Sequence, residues 1–280
     1  MKKIVILMTI FGLLCILMCA CGANGELTSD ADSGISADDI LSEAINESYF
    51  LWDGNYIVGL SDDGFGQKSV VIPARCEGFS GVVFQGSDIS KVFFEDDDDI
   101  SLDFAFMGAE NLTHVELPDN LTTIPYMSFQ MCESLTSITI PESVQILDDY
   151  AFSSCNNLKN VQFDGVSIVR IGDNCFEGCD FLSEITIPDG VEHIGKYAFF
   201  NCESLCDVSF SSTVSKIDKF AFGNTAISEI RFPDDIVFSS LDDSAFGTNA
   251  YTSTVYIGEG SWCDLNRSSW DIGFGDIKYK

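Results

Sequence analysis

The sequence predicts a β-rich solenoid, a stack of short coils of which about seven are regular, closed at each end by degenerate coils. The first observation behind this is a repeat. Phenylalanine recurs at Phe106, Phe129, Phe152, Phe176, Phe199, Phe222 and Phe246, at intervals of 23 or 24 residues, and so tight a period is the signature of stacked supersecondary units. The second is a fixed internal order, seen in Leu135–Cys155 and again in Leu182–Cys202. An alternating apolar segment leads to a proline, an apolar pair three apart, an Ala-Phe step and a cysteine. The third is physical: no single coil can bury its own apolar face, whereas a stack can.

Residues 1–20 read as a signal peptide. Met1-Lys2-Lys3 is a short positive start, and Ile4–Met18 is apolar apart from Thr9 and Gly12. That run is shorter than the roughly 20 residues a bilayer-spanning helix needs. It ends in Met18-Cys19-Ala20-Cys21-Gly22, which resembles a bacterial lipoprotein signal with a small residue before Cys21. Cys21 would then become the lipidated amino terminus; Cys19, preceded by bulky Met18, is the poorer candidate. An ordinary secretory signal cleaved nearby is the alternative, and both imply export. Residues 21–46 are rich in Ser, Asp, Ala, Gly and Glu. They bury too little to offset their ordering entropy and are expected to form a flexible tether.

Residues 47–104 are expected to form an N-terminal cap with degenerate repeats. Tyr49–Trp52 and Tyr56–Val58 flank Asp53-Gly54, a hairpin pattern. Val70–Pro73 and Lys91–Phe94 resemble repeat strands whose second halves have drifted. Residues 105–250 carry the regular coils. Each opens with an alternating triplet such as Leu135/Ile138/Ile140 or Leu182/Ile185/Ile187, the period of a half-buried strand. Pro118, Pro141, Pro188 and Pro233 end it, because proline cannot donate to a ladder. An apolar pair follows (Val144/Leu147, Val191/Ile194) to cover the opposite wall, and the Ala-Phe step fills the interior. Residues 251–280 are expected to cap the C-terminal end.

The pattern LxxIxIPxxVxxIGxYAFxxC resembles the leucine-rich repeats of the BspA-like family of bacterial surface proteins, over roughly residues 70–280. The resemblance implies a curved, right-handed solenoid with a parallel sheet on its concave side and short helical or 3-10 turns. It also implies export, surface display and roles in adhesion or recognition. It carries over no catalytic residues.

Composition narrows the partners. Formal net charge is −30, and removing Lys2 and Lys3 with the signal takes it to −32. Nucleic acid is excluded as a natural partner, since phosphate binding needs clustered Lys and Arg. Eleven cysteines in an exported chain ordinarily suggest disulfides. Here Cys132, Cys155, Cys179 and Cys202 share one repeat position, three residues after the anchoring Phe, which reads as a column of small buried hydrophobes. Stacked coils bring such residues about 5 Å apart, so the column also admits cross-coil bridges. Cys175 replaces the Ala of the Ala-Phe step and is expected inside; Cys206 is expected at the surface.

Candidates for chemistry are few. His114 and His193, the two histidines, lie about three coils apart and read as surface residues, so no Ser-His-Asp set can be drawn. Glu95–Asp99 is the densest acidic run, but Ile100 stands where a calcium loop needs its third ligand. Its plainer reading is a solvated loop. No metal site, cofactor or catalytic residue is expected. The outward strand positions, among them Glu116, Thr139, Gln162, Thr186 and Arg231, are polar and lack the aromatic anchors typical of binding hot spots. The aromatics Tyr150, Tyr197 and Phe220, with Phe200 nearby, are the candidate binding surface instead; the alternative is structural, since Tyr at this position belongs to the repeat pattern itself and would lean on the next coil. The reading is a non-enzymatic recognition or adhesion module for an extracellular protein or glycan, tied to the membrane only by its lipid anchor. The alternative is a structural spacer or display protein without a specific ligand.

Overall fold

The computed structural model describes residues 46–95, 100–165, 168–251, 253–266 and 274–280. The signal, Cys21, the tether up to residue 45, Asp96–Asp99 and Trp270 lie outside the described residues.

The alternating segments form one wall. Numbered along the chain, its strands are β3 (Ser69–Ile72), β5 (Lys91–Phe94), β6 (His114–Val115), β8 (Ser137–Ile140), β10 (Asn160–Phe163), β12 (Glu184–Thr186), β14 (Asp207–Ser209), β16 (Glu229–Arg231) and β18 (Thr254–Ile257). These nine strands mark about nine turns, two more than the regular Phe spacing suggests. Pairing is parallel and in register, as in β8–β10 with Ile138 opposite Val161. In β8 burial alternates, Ser137 out, Ile138 in, Thr139 out, Ile140 in, and β12, β14 and β16 repeat it, whereas β3 and β5 are buried at three successive residues.

The apolar pairs form a second wall that is itself a sheet. Its strands are β7 (Thr123–Ile124), β9 (Ile146–Leu147), β11 (Arg170–Ile171), β13 (His193–Ile194), β15 (Lys216–Ile217) and β17 (Ser240–Leu241), six in one continuous parallel ladder. The first wall, by contrast, is divided into four hydrogen-bonded groups.

Between the walls runs a column of phenylalanines. From Phe84 to Phe246 successive ring centroids lie 4.9 to 5.4 Å apart, with interplanar angles of 4 to 17°. Phe84 begins this column inside the stretch expected to be degenerate. Its coil has Val83 in place of Ala and buried Ser87 in place of Cys, whose hydroxyl donates to the Phe84 carbonyl at 2.8 Å. Two of the second-wall strands, β11 and β13, are followed by glycines, Gly172 and Gly195, at a close approach of coils. A Cβ on Gly195 would lie 2.7 Å from Asp173 N and from the Gly172 carbonyl carbon, closer than side-chain atoms are found.

The N-terminal end is closed by a hairpin, β1 (Phe50–Asp53) and β2 (Tyr56–Leu60), with β2 continuing onto β4 (Gly78–Phe79). The turn is centred on Gly54-Asn55, one residue later than the Asp-Gly pattern suggests, because Gly54 takes φ +62° while Asp53 stays paired with Tyr56. At the other end β19 (Asp276–Tyr279) adds to β18. Among the described residues the helical pieces are short and lie toward these ends: Glu47–Tyr49, Asp62–Phe65, Gly247–Tyr251 and Trp262–Leu265. Inside the regular coils the turns have a different construction.

Candidate binding ridge

The six coils anchored by Phe106 to Phe222 turn back at the Phe on two left-handed residues. The first lies two before the Phe: Phe104, Met127, Tyr150, Asn174, Tyr197 and Phe220, at φ +54° to +59°. The second lies two after it: Gly108, Met131, Ser154, Gly178, Asn201 and Asn224, at φ +55° to +71°. These conformations turn alternate amides to one side, as in backbone nests. In the Phe129 coil the N–H groups of Met127, Phe129 and Met131 donate to the carbonyls of Asp149, Ala151 and Ser153 in the next coil, at 3.2, 2.8 and 2.9 Å. The same three bonds recur from Tyr150, Phe152 and Ser154 to the coil after. A third ladder thus joins the coils, and its amides all point toward the C-terminal end.

The cysteine column completes the turn. Cys132, Cys155 and Cys202 are fully buried, free thiols that donate to the carbonyls of Phe106, Phe129 and Phe176 in the preceding coil, each at 3.1 Å. Cys179 does the same to Phe152 at 3.4 Å. Burial pushes the thiols of Cys132, Cys175 and Cys179 well above the ordinary value, so they are inert packing groups. Cys206 is exposed.

The left-handed backbone projects the side chains before the Phe outward, and the four expected residues all lie on this edge. Tyr197, Phe200 and Phe220 form one cluster. Tyr197 stacks on Phe220 at 5.6 Å and meets Phe200 edge-on at 5.3 Å. Gly223 makes room for it, since a Cβ there would approach the Phe200 ring to 3.0 Å and the Phe220 ring to 3.2 Å. Tyr150 belongs to a second group with two residues the sequence reading missed, Tyr126 at 5.9 Å and Phe104 beyond it at 5.7 Å. Tyr150, Tyr197, Phe200 and Phe220 are half-buried against neighbouring coils, while Phe104 and Tyr126 are exposed, as is Met131. Between the groups lie Asn174 and Glu177, joined by a 2.7 Å hydrogen bond.

Two other places merit comparison. On the second wall, His193 is half-buried rather than free at the surface, its Nε2 lying 2.6 Å from Asp218 and 3.3 Å from Lys216 Nζ. Its partners are a carboxylate and an ammonium, not a serine. Burial alone would raise the Asp218 carboxyl, but hydrogen bonds from His193 and Lys216 outweigh it and hold the group below its usual range. On the first wall, a concavity of about 560 Å³ is lined by Asp207, Ser209, Glu229, Arg231 and Lys280, among others. Its cations are engaged within the protein, Arg231 with Glu229 at 2.8 Å and Lys280 with Asp234 at 2.9 Å. Among the described residues no group of three or more His, Cys, Asp or Glu is placed to hold a metal ion, and no helix is long and apolar enough to cross a membrane.

A stack of identical turns presenting one outward side chain per coil defines a repeat-type scaffold, the class that builds extended binding surfaces. The chain belongs to the BspA-type leucine-rich repeat family: the BspA type Leucine rich repeat region matches residues 79–180 and 169–261, in six copies. Among solved structures it is similar to the leucine-rich repeat protein of T. pallidum, at 25% identity and a TM-score of 0.52, over 68% of this chain and 91% of that one. It is also similar to a leucine-rich repeat protein from Bacteroides ovatus, at 19% identity and a TM-score of 0.47, over 80% of this chain and 64% of that one. A leucine rich cell surface protein from Faecalibacterium prausnitzii matches at 19% identity and a TM-score of 0.36, over 83% and 86% of the two chains. No curated protein matches the chain by sequence.

Proposed function

We propose that this protein is an exported, non-enzymatic recognition module, held at the bacterial cell surface by a lipid on Cys21, that grips an extracellular protein or glycan along its aromatic ridge. One contrast carries the reading. Both left-handed positions of the coil make the same demand on the backbone, and a side chain with φ > 0 costs roughly 1–2 kcal/mol relative to glycine. The position after the Phe answers with Gly, Asn and Ser in all coils but one. The position before it answers with Phe, Met, Tyr, Tyr and Phe, and with Asn once. Large apolar side chains are kept where the backbone disfavours them and burial only half rewards them. Function at the surface accounts for that choice, and rings of this kind anchor binding hot spots.

The test is a screen of the lipid-free mature chain against glycans and extracellular matrix proteins. A specific ligand whose binding collapses in Tyr197→Asn/Phe220→Asn, with the fold intact, is the expected result. A protein silent across the screen is a spacer. The anchor is tested separately by feeding cells a palmitate analogue: label on the wild type and none on Cys21→Ala is expected, and an unlabelled wild type refutes the anchor.

A further inference from the structure

Resting on the ridge as a recognition surface, we infer the chemistry of its ligand: a linear polysaccharide of amine-bearing sugars, lying along the solenoid axis with about one sugar per coil. Three observations lead there. The first is the repeat distance. Stacked anchors fix the coil spacing at 4.9 to 5.4 Å, and neighbouring ridge rings on successive coils lie 5.6 to 5.9 Å apart. An extended chain of equatorially linked pyranoses advances by about one such spacing per ring, so its sugars keep step with the coils, alternate rings being turned over. An extended peptide does not, because its same-face side chains recur about every 6.6–6.8 Å and drift out of step within a few coils.

The second observation is the order of side chains along that line. The Phe104/Tyr126/Tyr150 group offers apolar faces suited to the C–H faces of sugars, then Asn174 and Glu177 offer hydrogen-bonding groups, and the Tyr197/Phe200/Phe220 cluster offers apolar faces again. Stacking platforms flanking a polar step suit a molecule that alternates C–H faces with hydroxyl edges.

The third is charge. Just beyond the second left-handed residue, successive coils place Glu110, Glu133, Asn156, Asp180, Glu203 and Ala226, four carboxylates in six coils. None of these four carboxylates has an ion pair among the described residues. Carboxylates repeated at coil spacing, on a chain of formal charge −30, complement amines repeated at sugar spacing and repel uronate or sulfated polymers.

The experiment is calorimetric titration of the full mature chain with linear glucosamine oligomers of increasing length. Affinity is expected to rise with length until about six sugars span the coils of Phe104 to Phe220, and to weaken with salt. Tyr197→Asn/Phe220→Asn is expected to lose about tenfold or more, as for hot-spot anchors. Its fold is checked by thermal unfolding, and it introduces only the residue type that Asn174 already supplies at this position. Glu133→Gln/Glu203→Gln is expected to weaken glucosamine oligomers while leaving their N-acetylated counterparts little changed. No binding, no length dependence, or equal capture of polylysine by wild type and ring variant overturns the inference. A protein or acidic-glycan ligand lost on the ring variant, with glucosamine oligomers silent, also overturns it while leaving the recognition reading in place.

Discussion

Phe176 stands between the rings of Phe152 and Phe199, each 5.2 Å away and nearly parallel to it. It is fully buried, and no side chain can enter from solvent to fill the space it would leave. Phe176→Ala is expected to destabilise by about 3–5 kcal/mol in urea unfolding; a loss under about 1 kcal/mol would mean the neighbouring coils collapse onto each other. Gly195 carries the opposite constraint. A methyl there meets backbone atoms of Gly172 and Asp173 as well as the Asp173 carboxylate, so Gly195→Ala is expected to cost about 1–3 kcal/mol despite its small size. Tyr197 differs from both. Replacement by Asn relieves part of a left-handed strain and removes a half-buried ring, two opposing effects of about 1–2 kcal/mol each, so stability should change little. Asp218 makes a prediction in pH. A depressed carboxyl contributes stability that is complete above its unfolded value, about 3.9, and is lost as pH falls through the lower folded value. The stability gap between wild type and Asp218→Asn is therefore present above the ordinary carboxylate range and closes as pH falls below it; a gap that widens in acid would contradict the hydrogen bonds from His193 and Lys216.

At the level of the coil, the sequence makes some parts plain and hides others, for reasons of length and chemistry. The first-wall strands are legible because Ile138 and Ile140 alternate with polar residues over four positions. The second sheet is not, because a strand as short as His193–Ile194 has no alternation to show. The coil around Phe84 hides behind Val83 and Ser87, which do the work of Ala and Cys without their letters. On the ridge, Tyr150, Tyr197, Phe200 and Phe220 can be picked out by their place before or after the Phe. Tyr126 falls one position earlier in its coil, and Phe104 lies in the stretch assigned to the cap. The left-handed turn itself is invisible in sequence, since Tyr and Phe are poor markers of φ > 0. The cysteine column is readable as packing, and it predicts reactivity. Among the eight described cysteines, Cys206 alone is exposed, so alkylation of the native protein should modify that thiol, and the others only after denaturation. Rapid labelling of Cys155 or Cys179 in native protein would contradict the column.

Across the whole molecule, coils meet only their neighbours, through the second-wall sheet, the four strand groups of the first wall and the one-way amide ladder, so stability accumulates coil by coil. Every bond in these three ladders runs along the long axis. Force applied between the two ends of the stack therefore loads the bonds in tension, one interface at a time rather than all at once. The protein should yield as a brake line does, paying out slack in steps. Each released coil frees about 23 residues, an extension of roughly 70 Å at full stretch, and single-molecule pulling should record a staircase of that height. A single abrupt rupture of the whole fold would mean the coils share load sideways. In the adhesive role proposed above, such a chain would dissipate a tug before the grip itself is tested.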